Sequence, residues 1–305
     1  MNTVDIIIPT YKPSVECKNL IKRLIKQTYS INKIIIINTE AEYWDKSIEE
    51  ISEKIQVTHI KKSEFDHGKT RNMAAKMSNA DIVVFMTQDA KPFNEYTIEE
   101  LVRPFSDEGV YVSYARQAAK PDCNEIEKYT RTFNYPYAAK IKSKEDLPKL
   151  GIKTYFCSNS CAAYRKNAFE KLGGFEEKII FGEDMIFAAK VIEENGKIAY
   201  ASKSVVIHSH NYTVKEQFKR NFDIGVNQRD HKKIFKNVKS ESEGVKLVVK
   251  TASHLIEIHE YLWIGFLVVY SGAKFIGYKM GYNYKKLPIK LVKKCSMKPD
   301  YFKEH

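Results

Sequence analysis

VVFMTQDAKP, Val83–Pro92, opens as a strand and stops being one at Thr87. Apolar, β-branched residues give way to Thr87, Gln88, Asp89 and Ala90, and a single carboxylate is left where the strand ends. In an open parallel sheet, ligands bind beyond the carboxyl ends of the strands. Whether this stretch belongs to such a sheet therefore decides both the fold and where to look for chemistry. An acid in that place either holds a metal in a nucleotide-handling domain or caps a turn.

The neighbouring sequence supplies the sheet. Val4–Ile8 and Lys33–Ile37 are short β-branched runs that read as buried parallel strands. Between them, over Val15–Gln27, Leu20, Ile21, Leu24 and Ile25 recur at helical spacing. A helix over Ile48–Ile55, a strand over Val57–Ile60, a helix over Thr70–Met77 and a strand over Ile82–Met86 continue the alternation, which predicts an α/β architecture. Pro9–Tyr11, Asn38–Glu40 and Thr87–Asp89 would then face one crevice. Further on, the pattern predicts a helix over Ile98–Phe105, a strand over Val110–Arg116 and an aromatic, basic loop around Arg131, Phe133, Tyr135 and Tyr137. A strand or turn at Tyr155–Tyr164, helices over Lys166–Leu172 and Asp184–Asn195, a strand over Ile198–Ala201 and a run Val205–His210 follow. No internal repeat or low-complexity tract is present.

With 305 residues, 43% hydrophobic and 12% aromatic, the chain is long enough to bury a substantial core and is not expected to be disordered. Fifty Lys and Arg against 38 Asp and Glu give a formal charge of +12, which favours anionic partners such as nucleotides, lipid headgroups or nucleic acid without choosing among them. Five cysteines without paired CxxC spacing, behind an N-terminus that carries no secretory leader, read as reduced cytosolic thiols. Cys157 and Cys161 read as core residues rather than metal ligands.

Three motifs carry chemistry. In SEFDHGKTRNMAAKM, Gly68 permits a tight turn, and Lys69 and Arg71 bring positive charge to a helix start whose free N–H groups favour phosphate; solvated basic residues are the plain alternative. In GGFEEKIIFGEDMIFAAK, Glu183 and Asp184 open a helix, where acids offset the helix dipole or project a general base into a cleft. In Val205–His210, strand alternation would turn His208 and His210 to one face. Asp89 with a histidine would make a mixed oxygen and nitrogen site suited to Mn²⁺ or Mg²⁺, completed by diphosphate oxygens; a structural histidine pair is the alternative.

Taken in order, IIIPTYK, FDHGKTRN, FMTQDA, SNSCAAYRK, GGFEEKIIFGEDM and GYKMGYNYKKLP resemble the inverting family 2 glycosyltransferases of GT-A fold, especially bacterial rhamnosyltransferases, over nearly the whole chain. The resemblance implies a mixed, mostly parallel central sheet, a nucleotide-sugar donor such as dTDP-rhamnose, and a divalent metal bridging the donor diphosphate. Asp89 corresponds to the final acid of the family's DxD motif, and Thr87 stands where most relatives carry the first. His208 matches the family's metal-ligating histidine, with His210 in reserve. Pro9, Thr10, Tyr11, Thr39 and Glu40 are implied around the nucleotide, with Thr87, Gln88 and Asp89 alongside. His67, Gly68 and Arg71 are implied around the sugar diphosphate. Asp184 becomes the general base and Glu183 an orienting acid, while Arg131, Tyr135, Ser158, Asn159 and Ser160 are candidates for acceptor contacts. A UDP-hexose or UDP-N-acetylhexosamine donor is the near alternative, and a non-catalytic polyanion- or membrane-binding protein the remote one.

From about Val214 the sequence turns to helices rich in Lys, Arg and aromatics. The expected division is a catalytic domain over 1–213, with a donor half over 1–92 and an acceptor half over 93–213, followed by a helical region over 214–305. Tyr261–Tyr278 is greasy but contains Lys274 and falls short of the ~20 apolar residues of a spanning helix. Leu247, Val248, Leu255, Ile258 and Leu262 through Phe275 would bury a face at a membrane, and Lys285, Lys286, Lys290, Lys293, Lys294 and Lys298 would meet anionic lipid. This suits a cytoplasmic, peripherally bound enzyme whose saccharide acceptor rides on a polyprenyl diphosphate, with no nucleic acid partner. A packed or dimer-forming appendage is the alternative.

Overall fold

The computed structural model describes residues 2–236 and 241–303. Its strands are β1 (Val4–Tyr11), β2 (Lys33–Thr39), β3 (Ile55–Ile60), β4 (Ile82–Met86), β5 (Lys91–Pro92), β6 (Val110–Ala118), β7 (Lys140–Lys142), β8 (Cys161–Arg165) and β9 (Lys197–Ile207). Its α-helices are α1 (Val15–Ile25), α2 (His67–Met77), α3 (Thr97–Val102), α4 (Glu125–Asn134), α5 (Leu147–Leu150), α6 (Lys166–Lys171), α7 (Glu183–Glu193), α8 (Val214–Asp230), α9 (Lys232–Phe235), α10 (Glu241–Glu257), α11 (Leu262–Tyr282) and α12 (Ile289–Cys295). The chain divides into two units. The first comprises 1–118, 135–177 and 183–208, and the second 119–134, 178–182 and 209–305. The second unit thus takes in two stretches from before residue 213.

The first unit carries the whole sheet, in the order β3-β2-β1-β4-β8-β6-β9-β5, with β7 also paired to β9. The half built from β1 to β4 is parallel, as the β-branched runs predict. β8 enters antiparallel beside β4 and β6. β9 lies parallel to β6 and antiparallel to β5 and β7. The sheet is therefore mixed in equal parts rather than mostly parallel. Ile6, Ile8, Ile34, Ile36, Val84 and Met86 fill one core beneath α1 and α3. On the α7 side, Phe85, Tyr164, Phe169, Phe175 and Phe187 interlock at ring separations such as 5.4, 5.0 and 4.9 Å. Such edge-to-face contacts fix ring orientation as well as burying area.

Several elements differ from the expected ones for local reasons. The Ile48–Ile55 helix is a 3₁₀ turn over Lys46–Ile51, capped by Asp45, and β3 already begins at Ile55. The helix expected over Ile98–Phe105 passes to 3₁₀ geometry at Arg103–Ser106, where Pro104 cannot donate. Of the aromatic, basic stretch expected as a loop, Arg131 and Phe133 fall in the last turn of α4, whereas Tyr135 and Tyr137 follow its end. Asn124 accepts from Glu127 N at the helix start, and the i,i+4 pair Glu127–Arg131 closes at 2.6 Å. Ile198–Ala201 and Val205–Ile207 are one strand, β9, whose register against β6 shifts between Ala115 and Arg116. All five cysteines are buried free thiols.

The second unit is helical. Asp223 of α8 is buried and accepts from Ser296 Oγ (2.6 Å) and Met297 N (3.0 Å), which ties α8 to the chain after α12; burial raises this carboxyl to about 6. Among the described residues no helix is long and apolar enough to cross a membrane. The face expected at a membrane is partly an inner one. Leu255 is fully buried and Val248 packs on the same cluster, against Ile126 of α4 and Leu267 and Tyr270 of α11. The exposed apolar residues are Val245, Val249 and Ile256 on α10, Ile258 just beyond it, and Leu262, Val268, Val269, Phe275 and Ile276 on α11.

Candidate active site

The carboxyl ends of β1, β2 and β4 bring together the residues expected there. Pro9 is partly buried inside β1, paired with Ile37. Thr10 donates to Asn38 Oδ1 (3.0 Å), and Asn38 Nδ2 in turn donates to Glu40 O. Glu40 has a positive φ of 64°, unusual for a non-glycine residue, and its carboxylate receives the backbone N–H of Lys62. The Gln88 amide makes two bonds to the Tyr11 backbone, both 3.0 Å, so it joins the ends of β1 and β4 rather than pointing outward. Tyr11 stands half-exposed with its ring edge-on to Tyr43, and Lys12 Nζ lies 4.4 Å above Tyr43. Thr39 Oγ1, Thr87 Oγ1, His67 Nε2 and Arg71 Nε are buried without a hydrogen-bond partner among the described residues. Buried polar atoms are normally satisfied, so four such atoms from three neighbouring strand and helix ends mark the crevice as made for a polar guest.

The start of α2 departs from the phosphate-cradle expectation. Asp66 caps the helix, accepting from Gly68 N (3.0 Å) and Lys69 N (2.7 Å), so these donors are already used. Capping also starts the helix three residues earlier than its apolar spacing predicts. Gly68 serves a close approach instead: a Cβ there would stand 1.8 Å from Glu176 O. One turn on, Asn72 clasps Phe175 by both its N–H and its C=O, each at 2.9 Å. Gly174, at φ +68°, passes so near that a Cβ would lie 2.7 Å from Asn72 Oδ1. The motifs FDHGKTRN and GGFEE are therefore two sides of one packed joint.

That joint delivers Arg71 to the acids of α7. Arg71 Nη1 donates to His67 O (2.9 Å) and lies 3.3 Å from Glu183 Oε1, with both side chains buried. Asn159, also buried, binds both acids: its N–H donates to Asp184 Oδ2 (2.9 Å) and its amide to Glu183 Oε1 (3.1 Å). Tyr164 fixes Asn159 in turn by donating to Asn159 Oδ1 (2.7 Å). Asp184 is hemmed in by protein yet keeps a partial opening to solvent. Burial, then the neighbouring Glu183 charge, push its carboxyl up to about 7, against the pull of the Asn159 and Met185 N–H groups and of Arg71. A carboxyl poised there both accepts and holds a proton near neutral pH.

Asp89 follows β4, and His208 follows β9. His208 Nε2 is 3.5 Å from Asp89 Oδ2, and His208 Nδ1 is 3.1 Å from Gln117 Oε1. Gln117 Nε2 donates to Ser158 Oγ (2.8 Å). A proton on Nδ1, facing the Gln117 carbonyl, leaves the Nε2 lone pair turned toward a carboxylate, the arrangement of a metal-ligating imidazole with an outer partner. Two donor atoms each about 2.1 Å from one ion stand at most about 4.2 Å apart, so the Asp89–His208 pair fits a shared divalent ion. The strand argument for His208 and His210 fails, because β9 ends at Ile207. His210 belongs to the second unit, where its ring tilts on Tyr212 at 5.2 Å.

The acceptor candidates separate. Arg131 lies in the second unit on α4, bound to Glu127. Tyr135 is buried between Phe156 and Tyr200 and offers no face for a sugar to stack on. Asn159 orients the acid pair, and Ser158 and Ser160 bond each other at 3.3 Å. Sequence reasoning missed Tyr43, Gln117 and Tyr164. Of these, Gln117 carries a signal, the one side-chain amide in the run of β6.

The model of the family described as "Glycosyl transferase family 2" matches residues 5–173 of this chain. The chain belongs to glycosyl transferase family 2. It is also 37% identical over 301 residues to the O-antigen chain rhamnosyltransferase RfbN of Salmonella typhimurium, covering 98% of this chain and 96% of that protein. It is 37% identical over 305 residues to the O-antigen chain rhamnosyltransferase WbaN of Salmonella anatum, covering 99% and 96%. Among solved structures, the mannosyltransferase PcManGT of Pyrobaculum calidifontis, in complex with GDP-Man and Mn2+, superposes with a TM-score of 0.58 at 15% identity over 99% of this chain and 88% of its own. S. aureus TarS 1-349 with UDP-GlcNAc does so at 0.51 and 14%, over 93% and 92%. At these identities the likeness speaks for the fold alone, which is GT-A-like. The protein is a family 2 glycosyltransferase, and its family match spans β1 to β8 with the strand ends, α2 and the Asn159 segment described above.

Proposed function

We propose that this family 2 glycosyltransferase transfers L-rhamnose from dTDP-rhamnose, with inversion, to a polyprenyl-diphosphate-linked saccharide in O-antigen synthesis. The sugar and pathway rest on the two Salmonella relatives, which match this chain over nearly its full length. The chemistry rests on one observation, the buried and raised Asp184 held by Asn159 beside Arg71. In the proposed step an acceptor hydroxyl oxygen attacks the anomeric carbon of the donor. The hydroxyl proton passes to the Asp184 carboxylate, and the bond from that carbon to the diphosphate breaks with its electron pair leaving on dTDP. Attack from the face opposite the leaving group inverts configuration. Glu183 stays ion-paired to Arg71 and orients the base through Asn159. Arg71 and the unpartnered Thr39, Thr87 and His67 atoms would bind the donor, beside Pro9, Thr10, Tyr11 and Glu40. A divalent ion, Mn²⁺ or Mg²⁺, would be held by Asp89 and His208 with His210 in reserve, and when bound it supplies neutralisation of the diphosphate charge.

The acceptor carrier places the reaction at a membrane surface on the cytoplasmic side. Exposed Leu262, Val268, Val269, Phe275 and Ile276 would insert at the interface, with the lysines of 285–298 adding about 1 kcal/mol each against anionic lipid. A thermal-shift panel of dTDP, UDP, GDP and their sugars, with and without Mn²⁺ or Mg²⁺, tests the reading. dTDP and dTDP-rhamnose should stabilise the protein most, the gain should grow with metal, and His208→Ala should abolish the metal increment. A preference for UDP or GDP would overturn the donor, and no response to any nucleotide in a folded sample would overturn donor binding.

A further inference from the structure

The second unit holds a group of charges that the active site leaves unused. Helices α8 and α11 cross at backbone contact: a Cβ on Gly277 would stand 2.3 Å from Phe218 O, and one on Gly281 1.9 Å from Phe222 O. Lys274, one turn before Gly277, is within electrostatic reach of Arg220, which lies between Phe218 and Phe222 on α8. Helix α4 packs on α11 through Ile126 and Tyr270, which brings Glu127 and Arg131 to the same place. Arg131 is neutralised by Glu127 at 2.6 Å.

Arg220 and Lys274 have no such partner. Neither makes a hydrogen bond or ion pair among the described residues. Arg220 rests only on the rings of Phe181 (4.6 Å) and Tyr212 (5.5 Å), and Lys274 only on Tyr270 (4.9 Å). Burial lowers Lys274 to about 8; Glu127 works against this, whereas Arg131 and Arg220 add to it. Three cations thus gather where Glu127 acts on Lys274 and Asp223 acts on Arg220, in half-buried surroundings where excess like charge is unfavourable without an anion. Aromatic rings hold the two spare cations in place and use none of their hydrogen-bond donors, so the donors remain available. Tyr212 also lines a cleft of about 350 Å³ with Lys120, Ser209 and Asn211 and with two acids, Asp122 and Glu216, so the cleft offers room for a larger molecule without a uniformly basic lining.

We infer that Arg220 and Lys274, with Arg131 behind them, form a binding subsite for a phosphate-bearing lipid, the diphosphate of the acceptor's carrier or the headgroup of an anionic phospholipid. The inference rests on the glycosyltransferase reading above, in which the acceptor is lipid-linked. A guanidinium fork and an ammonium suit the oxygens of a phosphate, and the apolar residues exposed along α11 suit the attached chain.

The test uses the full chain with dTDP at saturation, so that added phosphate groups do not report on the donor crevice. Binding of farnesyl diphosphate and of phosphatidylglycerol vesicles, with phosphatidylcholine vesicles as reference, is measured for wild type, Arg220→Gln, Lys274→Met and Glu127→Gln. Arg220→Gln and Lys274→Met should each weaken binding of at least one of the two ligands tenfold or more, and Glu127→Gln, which removes the negative charge, should tighten it. Weakening confined to farnesyl diphosphate assigns the subsite to the carrier, and weakening confined to phosphatidylglycerol assigns it to the headgroup. Lys274→Arg should bind like wild type, which separates charge from packing should Lys274→Met fold poorly. Unaltered binding of both ligands in folded Arg220→Gln and Lys274→Arg/Arg220→Gln proteins would overturn the subsite. The dTDP thermal shift, read in the same samples, reports separately on the donor reading.

Discussion

Replacing Asp184 by Asn should make the protein more stable above neutral pH while removing its activity. In the folded chain the Asp184 carboxyl is raised from 3.8 to about 7 by burial and by Glu183. Between those two values the folded protein holds a proton that the unfolded chain has released. The stability this contributes is complete below about pH 4 and is lost as pH rises through about 7. Three pH units at about 1.4 kcal/mol each bound the effect at about 4 kcal/mol, and the partial opening of Asp184 to water reduces it to about 2 kcal/mol. Asn keeps one acceptor for the Asn159 N–H and carries no charge to bury. Urea denaturation at pH 4, 6 and 8 should therefore show the variant near wild type at pH 4 and about 2 kcal/mol more stable at pH 8. A stability difference that stays flat across this range, or one in which wild type gains as pH rises, would refute the account of a desolvated base.

Three further outcomes follow from the packing. Gly68→Ala should destabilise the fold by about 1–3 kcal/mol or more, because its Cβ meets the Glu176 carbonyl and backbone has to move; a thermal melt checks this. Asn159→Ala removes the bonds to Glu183 and from Tyr164, and should lose about 1–3 kcal/mol in urea denaturation for the buried groups left unpaired, together with a fall in kcat. Phe275→Asp together with Val269→Asp should reduce co-sedimentation with phosphatidylglycerol vesicles without changing the dTDP thermal shift; unchanged co-sedimentation would exclude the α11 face from membrane contact.

The parallel half of the sheet was legible because buried strands write themselves as continuous β-branched runs, and β4 spans the expected Ile82–Met86. The acids of α7 were legible for the same local reason, since a glycine followed by two carboxylates marks a helix start. What organises them was not. Asn159 lies 24 and 25 residues before the two acids it binds, and Tyr164, which holds it, reads only as a strand aromatic. The Gly68 motif misled because the same small residue that permits a phosphate also permits a backbone carbonyl, and the deciding partner, Glu176, is over a hundred residues away. The Arg131 stretch misled because its aromatics obscure a capped amphipathic helix. Arg220 and Lys274 are ordinary basic residues in the sequence, and only the packing of α8 on α11 brings them within electrostatic reach of each other.

The most direct measurement is transfer of labelled rhamnose from dTDP-L-rhamnose to the lipid-linked saccharide fraction of the source cells, for wild type and Asp184→Asn, with dTDP binding followed in parallel. The account predicts wild-type transfer that rises with pH through about 7, an inverted anomeric configuration in the product, and a loss of about 10²- to 10⁴-fold in the variant with dTDP binding retained. Transfer by Asp184→Asn at the wild-type rate, or a product that retains the donor's configuration, would contradict it.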